Sequence, residues 1–378
     1  MKVTQQQISR RDFIKSTLMG IGGLSMFSII NNPKKNLITN NLDEFPKADL
    51  LGRNTIYLPN TLRIRVKPNA DAQEVRVLQE DECIPWLREV TGEVPVGRIN
   101  RRWVETPEGY VYSPSLQPVQ NKPNNPISQL TTQTEKGLGM WAEVTVPYVN
   151  LEIINQPPQA PWLKAISQNL WRLYYSQVTW IDEIKTKPDG QVVYRLNERY
   201  GSYGDIFYAD AKAFRPITPD EISPIRSEVT DKLVVVNINH QSLSCFEGKN
   251  EVYYCSVSTG RKLDENGNPT DQWTTPVGEH FVWRKLISIH MAGGGTGAGW
   301  DTMAVPWTSL FVGEGIAIHS THWHNDFGTP RSHGCVNTSP EDAKWIFRWL
   351  LPTIDYAAGD KTDNSFKSTK VNVVEQLY

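Results

Sequence analysis

Apolar and polar residues alternate over short segments along most of this chain, with the period of two that is typical of half-buried β-strands. One series of such segments lies within residues 51–120 and a second within 138–222, each bounded by Pro, Asn, Asp and Gly. Residues 101–119 and 194–217 form a degenerate repeat, because both read as strand, turn, aromatic strand and a proline-containing exit. The chain is therefore predicted to be mainly β, with two small β-barrel modules ahead of further β structure.

A different pattern begins near residue 228. Alternation at 234–238 predicts a strand, and Gly248-Lys249-Asn250 supplies a hairpin turn before the next strand. One helix is predicted after an N-cap at Ser339, and its apolar face comprises Trp345, Ile346, Trp349 and Leu350. The prediction is a third domain at 228–352, followed by a polar tail at 353–378 that contains one terminal strand.

The N-terminus carries a charged pair before a weakly apolar run. Arg10 and Arg11 precede residues 16–30, a run shorter than the roughly 20 apolar residues of a membrane span. This arrangement resembles a twin-arginine export signal, and the alternative is a buried N-terminal helix. We therefore expect residues 1–30 to be a signal or membrane anchor and 31–50 a linker. The protein would then act at the cell wall or the extracytoplasmic face of the membrane.

Composition and charge narrow the possible partners. A net charge of −2 over 378 residues, with scattered basic residues, gives no electrostatic reason to expect nucleic acid. The four cysteines, Cys83, Cys245, Cys255 and Cys335, are too sparse for a disulfide scaffold. Cys245 and Cys255 flank a turn but would be out of register across it. Free, mostly buried cysteines are expected.

The segment IHSTHWHNDFGTPRSHGCVN, residues 318–337, concentrates the reactive side chains, and it permits two interpretations. In the first, His319, His322, His324, His333 and Cys335 supply imidazole and thiolate ligands that suit zinc. A catalytic zinc site also tends to have a carboxylate base at a fixed spacing, and this segment has none.

In the second interpretation Cys335 is a nucleophile. A thiol needs a base, a group that orients the base, and donors for an oxyanion. His319, at the end of a predicted strand, is the candidate base. Gly334 permits a tight turn that exposes the sulfur and leaves the N–H groups of Gly334 and Cys335 available to the oxyanion. His333 can form a hydrogen bond within the site or to substrate, whereas His322 and His324 would be loop residues or solvated.

The motifs IHST and SHGCVN resemble the signature of the L,D-transpeptidase catalytic domain family, the YkuD type. VSTGR at 257–261 and TTPVGEHFVWRK at 274–285 match the same family, and the resemblance covers about residues 230–352. It implies a β-sandwich-like catalytic domain with one or two helices. The two modules before it resemble bacterial Src-homology-3-like barrels, which would position the enzyme on wall polymer or regulate access.

The resemblance also implies residue roles. Cys335 corresponds to the acyl-accepting nucleophile, His319 to its activating base, and Ser320 to the position whose backbone carbonyl orients the imidazole. The residues expected to shape the oxyanion hole are Ser332, His333 and Gly334. Those expected to bind substrate are Asn337, Arg331 and Trp307, the last standing where many relatives carry tyrosine. The glycine-rich segment 291–307 is predicted to be a mobile flap over the cleft.

The implied reaction is cross-linking of peptidoglycan. Cys335 would take the acyl group of a tetrapeptide stem as a thioester with release of D-alanine, and a neighbouring amine would then accept it. Stem peptides are the implied partners, and neither a metal nor an organic cofactor is needed. The alternatives are an L,D-carboxypeptidase of the same fold, a zinc-dependent hydrolase and a non-catalytic wall-binding protein.

Overall fold

Short β-sheets make up most of this computed structural model, which describes residues 45–56, 61–135, 137–161, 163, 171–263, 267–293, 300–313, 315–365 and 367–376. The prediction of a mainly β chain is confirmed. The predicted closure into barrels is not found, because the sheets of the described residues are open. The predicted signal at 1–30 lies outside the described residues, as does most of the predicted linker. Among the helices of the described part, none has the length and apolar content needed to cross a membrane.

The N-terminal region, residues 45–120, contains two antiparallel sheets with the strand orders β4-β1-β8 and β3-β2-β7-β6-β5. A core between them includes Ile64, Ile84, Val104, Val111 and Leu116. The strands are β1 Leu51–Asn54, β2 Arg63–Arg65, β3 Glu74–Val77, β4 Cys83–Pro85, β5 Arg88–Thr91, β6 Arg102–Thr106, β7 Gly109–Tyr112 and β8 Leu116–Val119.

The middle region, residues 137–222 with the preceding strand β9, centres on a seven-stranded sheet ordered β12-β16-β15-β14-β10-β17, in which β9 also pairs with β10. A separate pair joins β11 to β13. The strands are β9 Thr132–Thr134, β10 Gly137–Val144, β11 Tyr148–Asn150, β12 Glu152–Ile153, β13 Arg172–Tyr174, β14 Val178–Thr186, β15 Val192–Asn197, β16 Ile206–Asp210 and β17 Phe214–Pro216.

The two segments of the predicted repeat share one order of elements. A 3₁₀ turn at Ser113–Ser115 joins β7 to β8, and another at Ala211–Ala213 joins β16 to β17. A third 3₁₀ turn at Pro219–Ile222 then leads out of the middle region. The repeat is therefore visible locally, although the larger sheets around the two segments differ.

The C-terminal region, residues 228–376, has two five-stranded sheets ordered β20-β19-β18-β27-β21 and β25-β24-β23-β22-β26. The strands are β18 Lys232–Asn237, β19 Ser242–Glu247, β20 Asn250–Ser256, β21 Gly278–Phe281, β22 Arg284–Gly293, β23 Trp300–Val312, β24 Ile316–Ser320, β25 Val336–Thr338, β26 Asp360–Thr362 and β27 Lys370–Val374. Strand β27 lies between β18 and β21, so the segment predicted as a tail contributes an interior strand of this sheet.

Helix α1, Pro340–Trp349, begins where the sequence predicts, because the Ser339 side chain accepts a hydrogen bond from the Asp342 N–H. Ile346, Trp349 and Leu350 are buried as expected. Trp345 is only partly buried and stacks on Tyr253 with ring centroids 3.9 Å apart, whereas Phe347 is fully buried. The buried face is thus rotated slightly from the predicted one.

All four cysteines are free and three are buried, which confirms the expectation from their number and spacing. In the β19–β20 ladder Cys245 is opposite Tyr253 and Cys255 is opposite Leu243, so the two thiols are out of register. Residues 294–299, the glycine-rich part of the predicted flap, lie outside the described residues. The pairing of β22 with β23 extends to the residues that flank this segment, where Gly293 pairs with Trp300.

Candidate active site

The parallel pair β24–β25 brings the histidine and cysteine motifs together. Its register places Ile318 opposite Val336 and His319 opposite Asn337, so Cys335, which directly precedes β25, lies beside Ala317. Side chains alternate along strands, and Ala317 and His319 therefore share a face. Two motifs separated by more than a dozen residues meet at one sheet edge because the strands that carry them are neighbours.

His319 is held in one tautomer inside this edge. Its Nδ1 donates to the backbone oxygen of Ser320 at 2.8 Å, the contact that the family resemblance implies. The ring is almost fully buried, and burial lowers the pKa of His319 to about 4 although the Ser320 contact raises it. The imidazole is therefore neutral at pH 7, with the basic lone pair on Nε2.

Cys335 is partly exposed, in contrast with the other three cysteines. Its Sγ lies 3.8 Å from the Gly315 oxygen. Burial of the sulfur raises the pKa of Cys335 to about 11, and a hydrogen bond from the Ala317 N–H opposes that rise. Thiol and imidazole are both uncharged at rest, so the arrangement can transfer one proton between them when a substrate arrives.

The turn before Cys335 depends on Ser332 and Gly334. Ser332 Oγ donates to the Cys335 oxygen at 2.5 Å and accepts from the Gly334 N–H at 3.1 Å. Gly334 has φ of +118°, a backbone conformation that favours glycine. The Gly334 N–H was predicted to point at an oxyanion, and this is wrong because Ser332 already binds it. The Cys335 N–H is the remaining candidate of the two.

A second wall of the site comes from Gly260 and Thr275, which were not among the predicted site residues. Thr275 Oγ1 donates to the Gly334 oxygen at 2.8 Å and accepts from the Gly260 N–H at 2.9 Å. A Cβ at Gly260 would lie 2.1 Å from the Trp273 oxygen, so only glycine fits there. Gly260 lies in VSTGR and Thr275 in TTPVGEHFVWRK, and the resemblance of these two segments to the family was the available signal.

His333 lies in a small cluster on this wall. Arg261 Nη2 donates to His333 Nε2 at 2.8 Å, and the Arg261 guanidinium lies 4.6 Å from the ring centroid of Trp273. The rings of Trp273 and His333 meet edge to face at 4.8 Å. Because a guanidinium can only donate, Nε2 of His333 accepts, and Arg261 joins the candidate site as a residue missed from sequence.

His322 and His324 lie in a loop, as one of the two alternatives predicted, and both are buried, so the solvated alternative is wrong. The His322 ring stacks on Tyr174 at 5.1 Å. His324 Nδ1 accepts from the Asp326 N–H at 3.1 Å, and its Nε2 lies 3.0 Å from the Asn337 side-chain amide. The zinc interpretation gains no support, since the described residues contain no group of three His, Cys, Asp or Glu arranged to hold a metal.

The N-terminal region holds the histidine loop, residues 321–331. Arg53 Nη2 donates to the His322 oxygen at 2.8 Å, and Arg102 Nη2 donates to the Asn325 oxygen. The Asn325 N–H donates in turn to the Pro114 oxygen at 3.1 Å. The segment between His319 and Cys335 is therefore fixed from outside the C-terminal region.

Arg53 is fully buried where the N-terminal region contacts the histidine loop, and its positive charge is compensated by several partners. It pairs with Asp81 at 2.5 Å, donates twice to Gln117 Oε1, and lies 4.0 Å from the Tyr174 ring centroid. Arg172 also pairs with Asp81, at 2.6 Å. One guanidinium thus links the N-terminal region, the middle region and the histidine loop.

The three predicted substrate-binding residues occupy different environments. Trp307 is buried against Phe347 in a core shared with the middle region, so its prediction as a substrate contact is wrong. Asn337 is 1% exposed and bound to His324, which places it inside the fold and corrects the same prediction. The Arg331 side chain is 31% exposed and lies 3.6 Å from Asp326, so only Arg331 stays accessible.

The strand pair, the motif turn and the second wall all lie within one stretch of the chain. Residues 231–373 match the family model of the L,D-transpeptidase catalytic domain, YkuD. The match to this catalytic domain runs past the predicted boundary at 352 and includes most of β27, in agreement with the interior position of that strand. Members of the family act on peptidoglycan peptide stems. No curated protein matches the chain significantly.

Solved L,D-transpeptidases share limited similarity with the chain. The enzyme from Xylanimonas cellulosilytica is 22% identical over 40% of this chain and 63% of its own, with a TM-score of 0.27. A mutant of the Enterococcus faecium enzyme is 19% identical over 38% and 50%, with a TM-score of 0.29. The Mycobacterium smegmatis enzyme is 14% identical over 48% and 90%, with a TM-score of 0.30. The chain thus spans about half to two thirds of the length of the first two of these enzymes.

Proposed function

We propose that this protein is a cysteine L,D-transpeptidase that cross-links peptidoglycan tetrapeptide stems through a thioester at Cys335. The observation that carries the proposal is the pairing of β24 with β25, whose register brings Cys335, which is partly exposed, and the oriented His319 to the same face of one sheet edge within the family match. The known action of the family on stem peptides supports the substrate class.

In the acylation step, Cys335 Sγ attacks the carbonyl carbon of the amide before the terminal D-residue. The thiol proton passes to His319 Nε2, the nitrogen that does not contact Ser320. His319 then returns this proton to the leaving amine as the C–N bond breaks. D-alanine departs, and the remaining peptide is held as a thioester.

In the second step, an amine from a neighbouring stem attacks the thioester carbonyl and gives its proton to His319. The C–S bond breaks, the sulfur recovers that proton, and a new amide joins the two stems. Water in place of the amine would give hydrolysis. Developing charge on the carbonyl oxygen is stabilised by N–H donors, for which the Cys335 N–H is the candidate in the described turn.

The resting protonation states fit this scheme. An imidazole with a pKa of about 4 and a thiol with a pKa of about 11 do not form a standing ion pair at pH 7. Charge therefore develops only along the reaction, in a site where Ser320 already fixes the imidazole that must accept the proton. In this scheme the Cys335 thiol is activated by the orientation of His319 rather than by ionisation before the substrate binds.

The test is incubation of the purified protein with defined disaccharide tetrapeptides, with products measured by mass spectrometry. The expected products are a cross-linked dimer and free D-alanine, with a transient adduct on the peptide that contains Cys335. A Cys335→Ala variant should form none of them, whereas Cys255→Ala, a buried thiol away from the turn, should form all. D-alanine release without a dimer would identify an L,D-carboxypeptidase, and turnover by Cys335→Ala would refute the thioester.

The place of action is also a proposal and rests on sequence alone. We infer export by the twin-arginine route from Arg10 and Arg11, so that the catalytic domain meets the cell wall. Residues 1–40 fused to a reporter should carry it across the membrane. Replacing both arginines by lysine should retain the reporter in the cytoplasm, and continued export of that variant would contradict the inference.

A further inference from the structure

Two arginines and a histidine share one face beside the candidate nucleophile. Gly260 and Ser332 form a parallel bridge, which places Arg261 next to His333 and Thr259 next to Arg331. The backbone contacts agree, because Arg331 N–H donates to Thr259 and Arg261 N–H donates to Ser332. Since residues two apart on a strand point the same way, Arg261, His333 and Arg331 line the same side of this ladder.

Positive charge on this face exceeds the negative charge that the described residues supply. Arg331 reaches Asp326 only at 3.6 Å, and among the described acidic residues none forms an ion pair with Arg261. Burial lowers the pKa of Arg331, and the neighbouring charges of Arg98 and Arg261 lower it further while Asp326 opposes them. A face with surplus guanidinium charge is suited to bind an anion.

The Arg261 guanidinium is held in place before any ligand arrives. It stacks over Trp273 at 4.6 Å, and its Nη2 is bound to His333 at 2.8 Å. Its buried Nε has no hydrogen-bond partner within the described part of the chain. A guanidinium has five N–H donors, so the fixed group keeps donors for a carboxylate.

We propose that Arg261, assisted by Arg331, binds the terminal carboxylate of the leaving D-residue. The proposal rests on the function proposed above and specifies how the site recognises the end of a peptide. In such a substrate the carboxylate carbon is three bonds from the scissile carbonyl carbon, about 3 to 4 Å away. A cation beside residue 333 is thus near the position that the carboxylate must occupy when the carbonyl reaches Cys335. Cleavage is thereby restricted to the last peptide bond of the stem.

The experiment compares two substrates that differ in one charge. A tetrapeptide muropeptide with a free terminal carboxylate and the same molecule with a terminal carboxamide are supplied to the wild type and to Arg261→Met. The wild type should prefer the free acid by at least about tenfold in kcat/KM, the effect of one charge-assisted contact. Arg261→Met should lose this preference by slowing only the acid, and Arg261→Lys should keep part of it.

Two controls separate this role from others. Arg199→Met removes a guanidinium with the same 4.6 Å stack on a tryptophan, Trp180, but far along the chain from the thiol motif, and should leave the preference intact. If Arg261→Met slows acid and amide equally, Arg261 acts only by positioning His333 and the proposal is overturned. An equal rate for acid and amide in the wild type overturns it as well.

A binding measurement distinguishes this proposal from the proposed function. Calorimetry on Cys335→Ala should show tighter binding of the acid than of the amide, and the additional Arg261→Met change should remove the difference. If the wild type cleaves neither substrate, the proposed function fails while the calorimetry still decides the role of Arg261. Equal affinities in the calorimetry would overturn the carboxylate site itself.

Discussion

Buried histidines occur in two parts of this protein with opposite charge states. Around the candidate nucleophile, burial lowers the pKa of His319 to about 4 and that of His324 to about 3, and it also lowers the pKa of His322. At the junction of the middle and C-terminal regions, His290 lies between Glu198 at 2.7 Å and Asp301 at 2.5 Å. Burial lowers the pKa of His290 too, but the two carboxylates raise it to about 9.

The partner of a buried histidine, rather than burial itself, decides its charge state in this protein. His319 contacts a backbone carbonyl, so it stays neutral and can accept a proton. His290 is already protonated and neutralised by Glu198, whose other oxygen accepts from the Ala304 N–H at 2.7 Å. The first histidine is suited to catalysis, whereas the second joins β22 and β23, near the end where Gly293 pairs with Trp300, to the middle region.

Replacing the two histidines should give the largest contrast. His319→Ala removes the proposed base and should lower turnover of tetrapeptide stems by about 10²- to 10⁴-fold. His290→Gln should retain turnover at 25 °C, because its charge does not face the thiol. Steady-state D-alanine release measures both, with circular dichroism to verify folding. Similar turnover in His319→Ala and wild type would contradict the assignment of the base.

The protonation states around His319 can be probed without substrate. With a thiol pKa of about 11, alkylation of Cys335 by iodoacetamide should accelerate about tenfold per pH unit from pH 6 to 10. Cys335→Ala gives the background from the other cysteines. An alkylation rate that stops rising near pH 7 would show a standing thiolate–imidazolium pair. His319 would then be charged like His290, contrary to the prediction.

Replacement of Arg53 tests how much the N-terminal region stabilises the loop that contains the neutral histidines. Arg53→Met removes a fully buried cation that donates to the His322 oxygen, and it leaves Asp81 with one arginine partner fewer. The expected loss is about 3 to 5 kcal/mol in the free energy of unfolding. Denaturant titration measures it. Arg63→Met, which removes an exposed pair with Glu74, is the control and should cost less than about 1 kcal/mol. Equal losses in the free energy of unfolding for the two variants would contradict a stabilising role of the buried Arg53.

The charge of His290 should appear as a pH-dependent stability. Its pKa is raised on folding, so its contribution of about 3 kcal/mol is complete below pH 6.5 and is lost as the pH rises through about 9. The difference in Tm between wild type and His290→Gln should therefore be several degrees at pH 6 and should shrink by pH 10. Thermal melts at steps of about half a pH unit check this prediction. A difference in Tm that does not vary with pH would show that His290 is uncharged in the folded protein.

Local rules predicted much of the C-terminal region. The alternation at Val234, the Gly248 turn and the Ser339 cap each depend on neighbours within a few residues, and each is present. The predicted tight turn at Gly334 is likewise present, with φ of +118° at that residue. The contacts of Trp307 were misjudged because a strand residue at this position can face either a cleft or a core. The core with Phe347 involves elements distant along the chain.

Arg261 and His290 show a second kind of limit. Each owes its role to partners far away in sequence, His333 and Trp273 for one and Glu198 and Asp301 for the other. No spacing rule connects such residues, because the sheet order that brings them together is set by the whole fold. Arg53 is a stronger case, since it contacts a carbonyl 269 positions later.

Residue type and short spacing are sufficient to predict the strand content, the thiol and histidine motifs and the kind of chemistry that such side chains can perform. Three properties depend on the tertiary structure: the neutral state of His319 and the charged state of His290, the hydrogen bond that occupies the Gly334 N–H, and the contact of the N-terminal region with the histidine loop. Those properties arise from burial and from distant charges, and both exist only once the sheets are assembled.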